Sequence, residues 1–242
     1  MRYLVSIIVI SACLVVFISC HKQSEEGNDV YNFPIRPGTS QWMKFTSLDE
    51  KLKACQIPDS ILKDISTKGL IETVINYPLL MNYVAYNTPQ SGVEAIETQF
   101  NGLSELLDRE DSSKSLFNFY KETNPSKEEL TWYNAGQIAF IEALLSQDVI
   151  NSRFSDDEIY ELILETKNRY ENKPQSEKWS ANKYTVWLMG KALQKSEYEP
   201  FESEVKNNST LKSFLDKGFY LDKNMAKIIY DYADDFVLKY KK

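Results

Sequence analysis

Histidine is nearly missing from this sequence of 242 residues: His21 is the only one. Its scarcity removes the commonest general base, the commonest metal ligand and the usual Ser-His or Cys-His relay. Histidine-based zinc sites and papain-like peptidase chemistry are thereby excluded, and no cysteine cluster compensates. Cysteine is almost as scarce. Of the three, Cys13 lies inside an apolar N-terminal run and Cys20 directly follows it, which leaves Cys55 alone in the body. No intramolecular disulfide can form there, so the body must be held by its core. Cys55, in Lys53-Ala54-Cys55-Gln56-Ile57-Pro58, reads as a buried small hydrophobe.

Positive charge is also short, with 28 Lys and Arg against 35 Asp and Glu and a formal net charge of -7. Nucleic acid is therefore not an expected partner, because a phosphate backbone is gripped by clustered cations. The nearest thing to a basic cluster is Lys239, Lys241 and Lys242 at the end of the chain, where cations suit a helix terminus. Neither phosphate-cradling pattern, Gly-x-x-x-x-Gly-Lys or Gly-x-Gly-x-x-Gly, occurs, and no Asp-x-Asp-x-Asp-Gly loop is present for calcium. Ser-x-x-Lys occurs at Ser60 to Lys63, Ser180 to Lys183 and Ser209 to Lys212, without the companion elements of the serine acyltransferases, and reads as chance. No catalytic residue, metal ligand or cofactor is assigned.

What is present begins with a leader. Met1-Arg2-Tyr3 is a short positive start, and Leu4 to Ile18 is an apolar run interrupted by Ser6 and Ser11 and closed by Ser19-Cys20. This is the charged and apolar layout of a secretory signal. Phe17-Ile18-Ser19-Cys20 resembles a lipobox, with Phe17 standing where that pattern prefers leucine. Residues 1–19 are expected to be removed and Cys20 lipidated, anchoring the chain through two or more acyl chains such as palmitate. An uncleaved N-terminal membrane helix is the other reading, since Tyr3 to Cys20 is close to the minimum span of about 17 residues. Residues 20–45 then read as the lipidated cysteine and a flexible tether, rich in polar residues with Pro34, Pro37, Gly27 and Gly38. Lys22-Gln23-Ser24-Glu25-Glu26 resembles an acidic surface-export signal and equally suits a plain solvated linker.

Residues 46–242 read as an all-α domain, an irregular helical bundle or stack of helical hairpins, with a regular solenoid disfavoured by the lack of a fixed repeat. Capping boxes fit at Ser47 with Glu50, Ser91 with Glu94, Ser126 with Glu129, and Ser155 with Glu158. Prolines at 58, 78, 89, 125, 174 and 200 fall between segments or at their fronts. Val93, Ile96, Phe100, Leu103 and Leu107 follow one three-four stripe. Leu130 to Leu145 is apolar on most sides and is expected to be the central helix. Met225, Ile228, Ile229, Tyr232, Ala233, Phe236, Val237 and Tyr240 form one apolar face, opposite Asp231, Asp234, Asp235 and Lys239.

The 15 Tyr, 12 Phe and 4 Trp are abundant enough to serve both a core and a binding face. Trp42, Trp132, Trp179, Trp187, Tyr83, Tyr86 and Tyr133 are the candidates for a binding face, although most of them, Trp132, Tyr133 and Trp187 among them, read as core. Asp156-Asp157 and Asp234-Asp235 read as capping or solvated acids. Tyr86-Asn87-Thr88-Pro89-Gln90-Ser91-Gly92 joins two helical segments; Tyr86, Asn87 and Gln90 are the candidate binding loop, against the plainer reading of a turn.

Between Trp42 and Arg109, the elements Ala54-Cys55-Gln56-Ile57-Pro58, Asn76-Tyr77-Pro78, Tyr86-Asn87-x-Pro89-Gln90-x-Gly92 and Phe100-Asn101-Gly102-Leu103 resemble a group of uncharacterised Bacteroidota lipoproteins. The resemblance implies an outer-membrane lipoprotein of the cell envelope, with surface exposure one option, and transfers no catalytic residue. The expected function is a lipid-anchored, non-enzymatic module that binds a protein or an envelope glycan. The alternative is a carboxylate-based glycan or peptidoglycan hydrolase acting outside the cytoplasm, which needs two facing acids.

Overall fold

A computed structural model describes residues 29–123, 131–172 and 182–240. Among them every regular element is helical. A 3-10 turn at Trp42–Lys44 leads to α1 (Leu48–Ala54), α2 (Asp59–Leu62) and α3 (Thr67–Ile75), and a second 3-10 segment, Leu80–Ala85, leads to α4 (Pro89–Gln99). Then follow α5 (Asn101–Asp108), α6 (Ser112–Glu122), α7 (Trp132–Leu145), α8 (Asp148–Asn151) and α9 (Asp156–Asn172). The chain ends in α10 (Lys183–Lys195), α11 (Glu199–Asn207), α12 (Ser209–Lys217) and α13 (Lys223–Tyr240). None of these helices is long and apolar enough to cross a membrane. The leader, Cys20, His21, Trp179 and the Ser126–Glu129 pair lie outside the described residues.

The helices start where local chemistry puts them. At α1 the Ser47 hydroxyl accepts the Glu50 N–H at 3.3 Å while the Glu50 carboxylate accepts the Ser47 N–H at 3.2 Å. Ser155 and Glu158 do the same before α9, at 3.3 and 2.9 Å. The box expected at Ser91 is displaced by one turn: Thr88 is the cap of α4, Pro89 occupies the first helical position, and Ser91 is the partner three residues in. Proline pre-sets the first helical φ, and that decides the start.

A second correction concerns the stripe through Phe100. It is two helices, because Phe100 is extended (φ -137°, ψ 112°) and caps both α4 and α5. A side-chain clasp makes the break. Gln56 Nε2 donates to the Gln99 carbonyl at 2.9 Å and to Leu52 O at 2.7 Å, while Gln56 Oε1 accepts the Asn101 N–H at 3.0 Å. Asn101 returns the pairing, accepting from Ile57 N–H at 3.0 Å and donating to Ile57 O at 2.7 Å. The Gln99 carbonyl and Asn101 N–H freed by the break thus find a partner 43 and 45 residues away in sequence.

Within the segment expected to be a flexible tether, Asp29, Tyr31 and Phe33 are anchored on the domain. The Tyr31 N–H donates to Thr73 Oγ1 at 2.9 Å, and Asp29 accepts from the backbone and hydroxyl of Ser66. Phe33 is buried in contact with Tyr31, Tyr77 and Phe100. Aromatic anchors set in a Pro- and Gly-rich strip carry this packing, and the turn formers around them conceal it from a reading by period.

The second half of α7 lies in the core, as its composition predicts, whereas Tyr133 and Ala135 in its first half are exposed. From Phe140 to Gln147 every residue is buried, and α7 packs against α3, α4, α6, α8 and α10. It joins an N-terminal group, α3 to α6, to a C-terminal group in which α10 packs against α9, α12 and α13. Helix α13 buries Met225, Ala226, Ile229, Ala233 and Phe236, the face its stripe indicates. The two groups meet again at Gly218, whose left-handed conformation (φ 65°) ends α12. A Cβ there would stand 2.9 Å from Pro89 Cγ and 2.9 Å from the Trp187 ring, so the turn into α13 rests directly on the start of α4.

Candidate functional site

A cleft of about 400 Å³ lies between the C-terminal ends of α3 and α6 and the first half of α7. Its described lining is Ile75, Glu122, Thr123, Asn134, Gln137, Ile138 and Ile141. On α7 the positions 134, 137, 138 and 141 recur at three- and four-residue steps and therefore share a face. Ile75 and Ile141 are buried and Ile138 is partly buried, giving an aliphatic floor under a polar rim. The volume falls in the range of about 300–1,000 Å³ common for ligand pockets.

The rim is tied to the scaffold. Gln137 Nε2 donates to the Ile75 carbonyl at 2.7 Å, satisfying an otherwise orphaned acceptor in the last turn of α3. The Thr123 hydroxyl donates to Phe119 O at 2.8 Å, and the Thr123 N–H donates to Phe119 O and Tyr120 O at 3.0 and 3.2 Å. Thr131 Oγ1 caps α7 by accepting the Asn134 N–H at 3.1 Å. Glu122 is exposed and forms no ion pair with another described residue. It is the one carboxylate among the described lining residues, whereas a glycosidase geometry calls for a facing pair at about 5–9.5 Å.

One residue beyond Ile141 and one turn before Thr123 lies a buried polar network. The Glu142 carboxylate accepts from the Tyr120 hydroxyl at 2.7 Å and from the Thr185 hydroxyl at 2.7 Å. The Arg169 guanidinium stacks 3.7 Å from the Tyr120 ring centre, donates to the Tyr120 carbonyl, and pairs with Glu165 at 2.6 Å. Burial first, and the Glu142 charge second, push the Tyr120 hydroxyl well above the usual phenol range, so it remains a donor. Asn182 Nδ2 is buried without a hydrogen-bond partner. The network links α6, α7, α9 and α10 and acts in packing; a half-satisfied one would cost more than an apolar core.

The sequence-derived candidates fall elsewhere. Tyr86 and Asn87 are exposed on the turn before α4, with the Tyr86 hydroxyl accepting from Gln99 Nε2 at 3.3 Å. Gln90 bridges Glu94 and Gln147 through Nε2, both at 3.0 Å, and Gly92 lies so close to the Tyr83 carbonyl that a Cβ would come within 2.6 Å. Neither Tyr86, Asn87 nor Gln90 is among the described lining residues of the cleft. Trp187 is fully buried with Nε1 donating to Leu215 O at 2.8 Å, and Tyr83 is buried with its hydroxyl on Gly136 O at 2.9 Å. Trp42 is half-buried against Phe45, under Lys51. Tyr133 is exposed, one residue before a cleft position.

Cys55 is fully buried, and burial pushes its thiol up to about 11. Asp234 pairs with Lys167 at 3.1 Å and Asp235 with Lys239 at 2.9 Å. Among the described residues no group of three or more His, Cys, Asp and Glu could hold a metal. The sequence reasoning missed the cleft and Glu142. A signal for each existed: Asn134 and Gln137 share a helical face with Ile138 and Ile141, and Glu142 is the one charge in α7. Compared with protein-family models, curated proteins and solved structures, the chain matches none.

Proposed function

We propose that this protein is a lipid-anchored module of the cell envelope that binds its partner without chemical conversion, using the cleft between α3, α6 and α7. The observation that carries the reading is the isoleucine-floored, amide-rimmed cavity of about 400 Å³, held open by hydrogen bonds that consume the rim amide of Gln137. Apolar floors with a few placed polar groups are the usual composition of a ligand site. The leader ending in Ser19-Cys20 supports the anchor.

Two measurements test the two halves. Exchanging Cys20 for serine should move the chain from the membrane pellet to the soluble fraction; continued sedimentation refutes the lipid anchor. Isoleucine-methyl spectra recorded against a fragment library should show Ile75, Ile138 and Ile141 responding together to at least one compound. A library in which those three methyls never move while others do would place binding outside the cleft.

A further inference from the structure

We infer that the cleft takes an aliphatic primary ammonium group, a short alkyl chain ending in a positively charged amine. This rests on the cleft being the binding site and names the chemistry of its ligand. The floor, Ile75, Ile138 and Ile141, offers methyl groups and no polar atom, which suits an alkyl chain.

Apart from the Asn134 side chain, the described polar groups of the rim present acceptors. Gln137 Nε2 is committed to Ile75 O and reaches Asn76 Oδ1 at 3.5 Å, leaving Gln137 Oε1 to accept. The hydroxyl and N–H of Thr123 are both spent on α6 carbonyls, leaving oxygen lone pairs. Glu122 adds a carboxylate with no ion pair to a described residue, while its neighbour Lys121 is held by Glu161 at 3.3 Å and lies 4.4 Å over the Phe117 ring. A ligand that brings its own donors suits these acceptors, and an ammonium brings three.

Helix ends add to the same sign. Both α3 and α6 finish at the cleft, and the C-terminal end of a helix carries partial negative charge that favours cations. The N-terminus of α7 opposes them, with its Asn134 N–H already turned onto Thr131. Two carbonyl ends and a carboxylate with no ion pair among the described residues, against one capped amide end, make the mouth cation-selective. An anion would meet Glu122 with no cation in the described lining to receive it.

The test is a titration of the leaderless chain carrying Cys20→Ser, followed by isoleucine methyl shifts at pH 7. The probes are n-pentylamine, 1-pentanol, pentanoate and Nα-acetyl-lysine methylamide. Pentylamine should shift Ile75, Ile138 and Ile141 saturably, with pentanol roughly threefold to tenfold weaker for want of a positive charge to pair with Glu122 and pentanoate silent. Each methylene removed from the amine should weaken binding roughly fourfold, the equivalent of the transfer energy of one buried CH₂. Glu122→Gln, at an exposed position, should weaken the amine several-fold more than it weakens pentanol.

Binding of the lysine derivative as tightly as pentylamine supports the inference with a protein lysine as source; its exclusion beside pentylamine binding supports it with a free amine as source. If pentanol or pentanoate shifts the three methyls as strongly as the amine, the cleft remains a binding site and the ammonium inference is overturned. If none of the probes moves them, the ammonium inference fails, and the fragment library decides whether the cleft reading fails with it.

Discussion

Replacing Asn101 with alanine removes the return half of the clasp that holds the Cys55–Pro58 strip to the joint between α4 and α5. Two hydrogen bonds disappear, Ile57 N–H to Oδ1 at 3.0 Å and Nδ2 to Ile57 O at 2.7 Å, and the Ile57 side chain above them is 1% exposed. A typical protein hydrogen bond contributes about 1 kcal/mol net, and stranding a buried partner costs about 1–3 kcal/mol. The flanking Gln56 and Asn101 are only half-buried, so water recovers part of the loss, and about 2–3 kcal/mol is expected. With a urea slope of roughly 2–3 kcal/mol per molar, the unfolding midpoint should fall by about 1 M. Asn101→Asp should be at least as costly, because a carboxylate oxygen then faces the Ile57 carbonyl. Paired with Gln56→Ala, the double mutant should lose less than the sum of the singles, since both residues serve one network. A midpoint within about 0.2 M of the parent, at unchanged slope, would refute the assignment of the helix break to this clasp.

Gly218→Ala combines a left-handed φ with a Cβ 2.9 Å from Pro89 and Trp187, and should cost about 2–4 kcal/mol in a thermal or urea melt; a neutral result would show that the α12–α13 turn is free to move off α4. Tyr120→Phe strips one of the two hydroxyls from Glu142 and should destabilise by about 1–3 kcal/mol, whereas Glu142→Gln keeps an acceptor for both hydroxyls and should cost less than Glu142→Ala. The Cys55 thiol should resist alkylation at pH 8 in the folded protein and react once urea unfolds it. Because burial raises that thiol from 9.0 to about 11 and raises Tyr77 as well, the folded state holds more protons above pH 9. Stability should therefore be flat below about pH 9 and fall as pH rises through 11; unchanged stability across that window would contradict the burial. Asn87→Ala, at an exposed position, should leave the melt unchanged within about 0.5 kcal/mol, and any loss of partner capture by that variant would return the Tyr86–Gln90 turn to the binding surface.

Much of the architecture follows from local pattern. The capping boxes at Ser47 and Ser155, the apolar second half of α7 and the single stripe of α13 are statements about neighbours one turn apart, and helix formation is decided at that range. The same range explains the failures. Val93 through Leu107 satisfies one helical period across Phe100, yet Gln56, 44 residues upstream of that residue, supplies hydrogen bonds that make the break stable. Asp29 to Phe33 carries turn formers and no period, while its anchors are Thr73, Ser66, Tyr77 and Phe100.

For the site the division is sharper. The shortage of histidine and clustered cysteine, the acidic balance and the Ser19-Cys20 junction are properties of the sequence, and by themselves they confine the chemistry and motivate the anchor. That Gln137 and Ile138 stand across from Ile75 and Glu122 depended on where α3, α6 and α7 end and how they pack, because a cleft is made by residues whose separation in the chain is unrelated to their separation in space. The lone charge of Glu142 was visible in sequence; that two hydroxyls from other helices receive it, turning an apparent core defect into a polar joint, was decided only by the tertiary structure, since burial is tolerated only where packing delivers the partners.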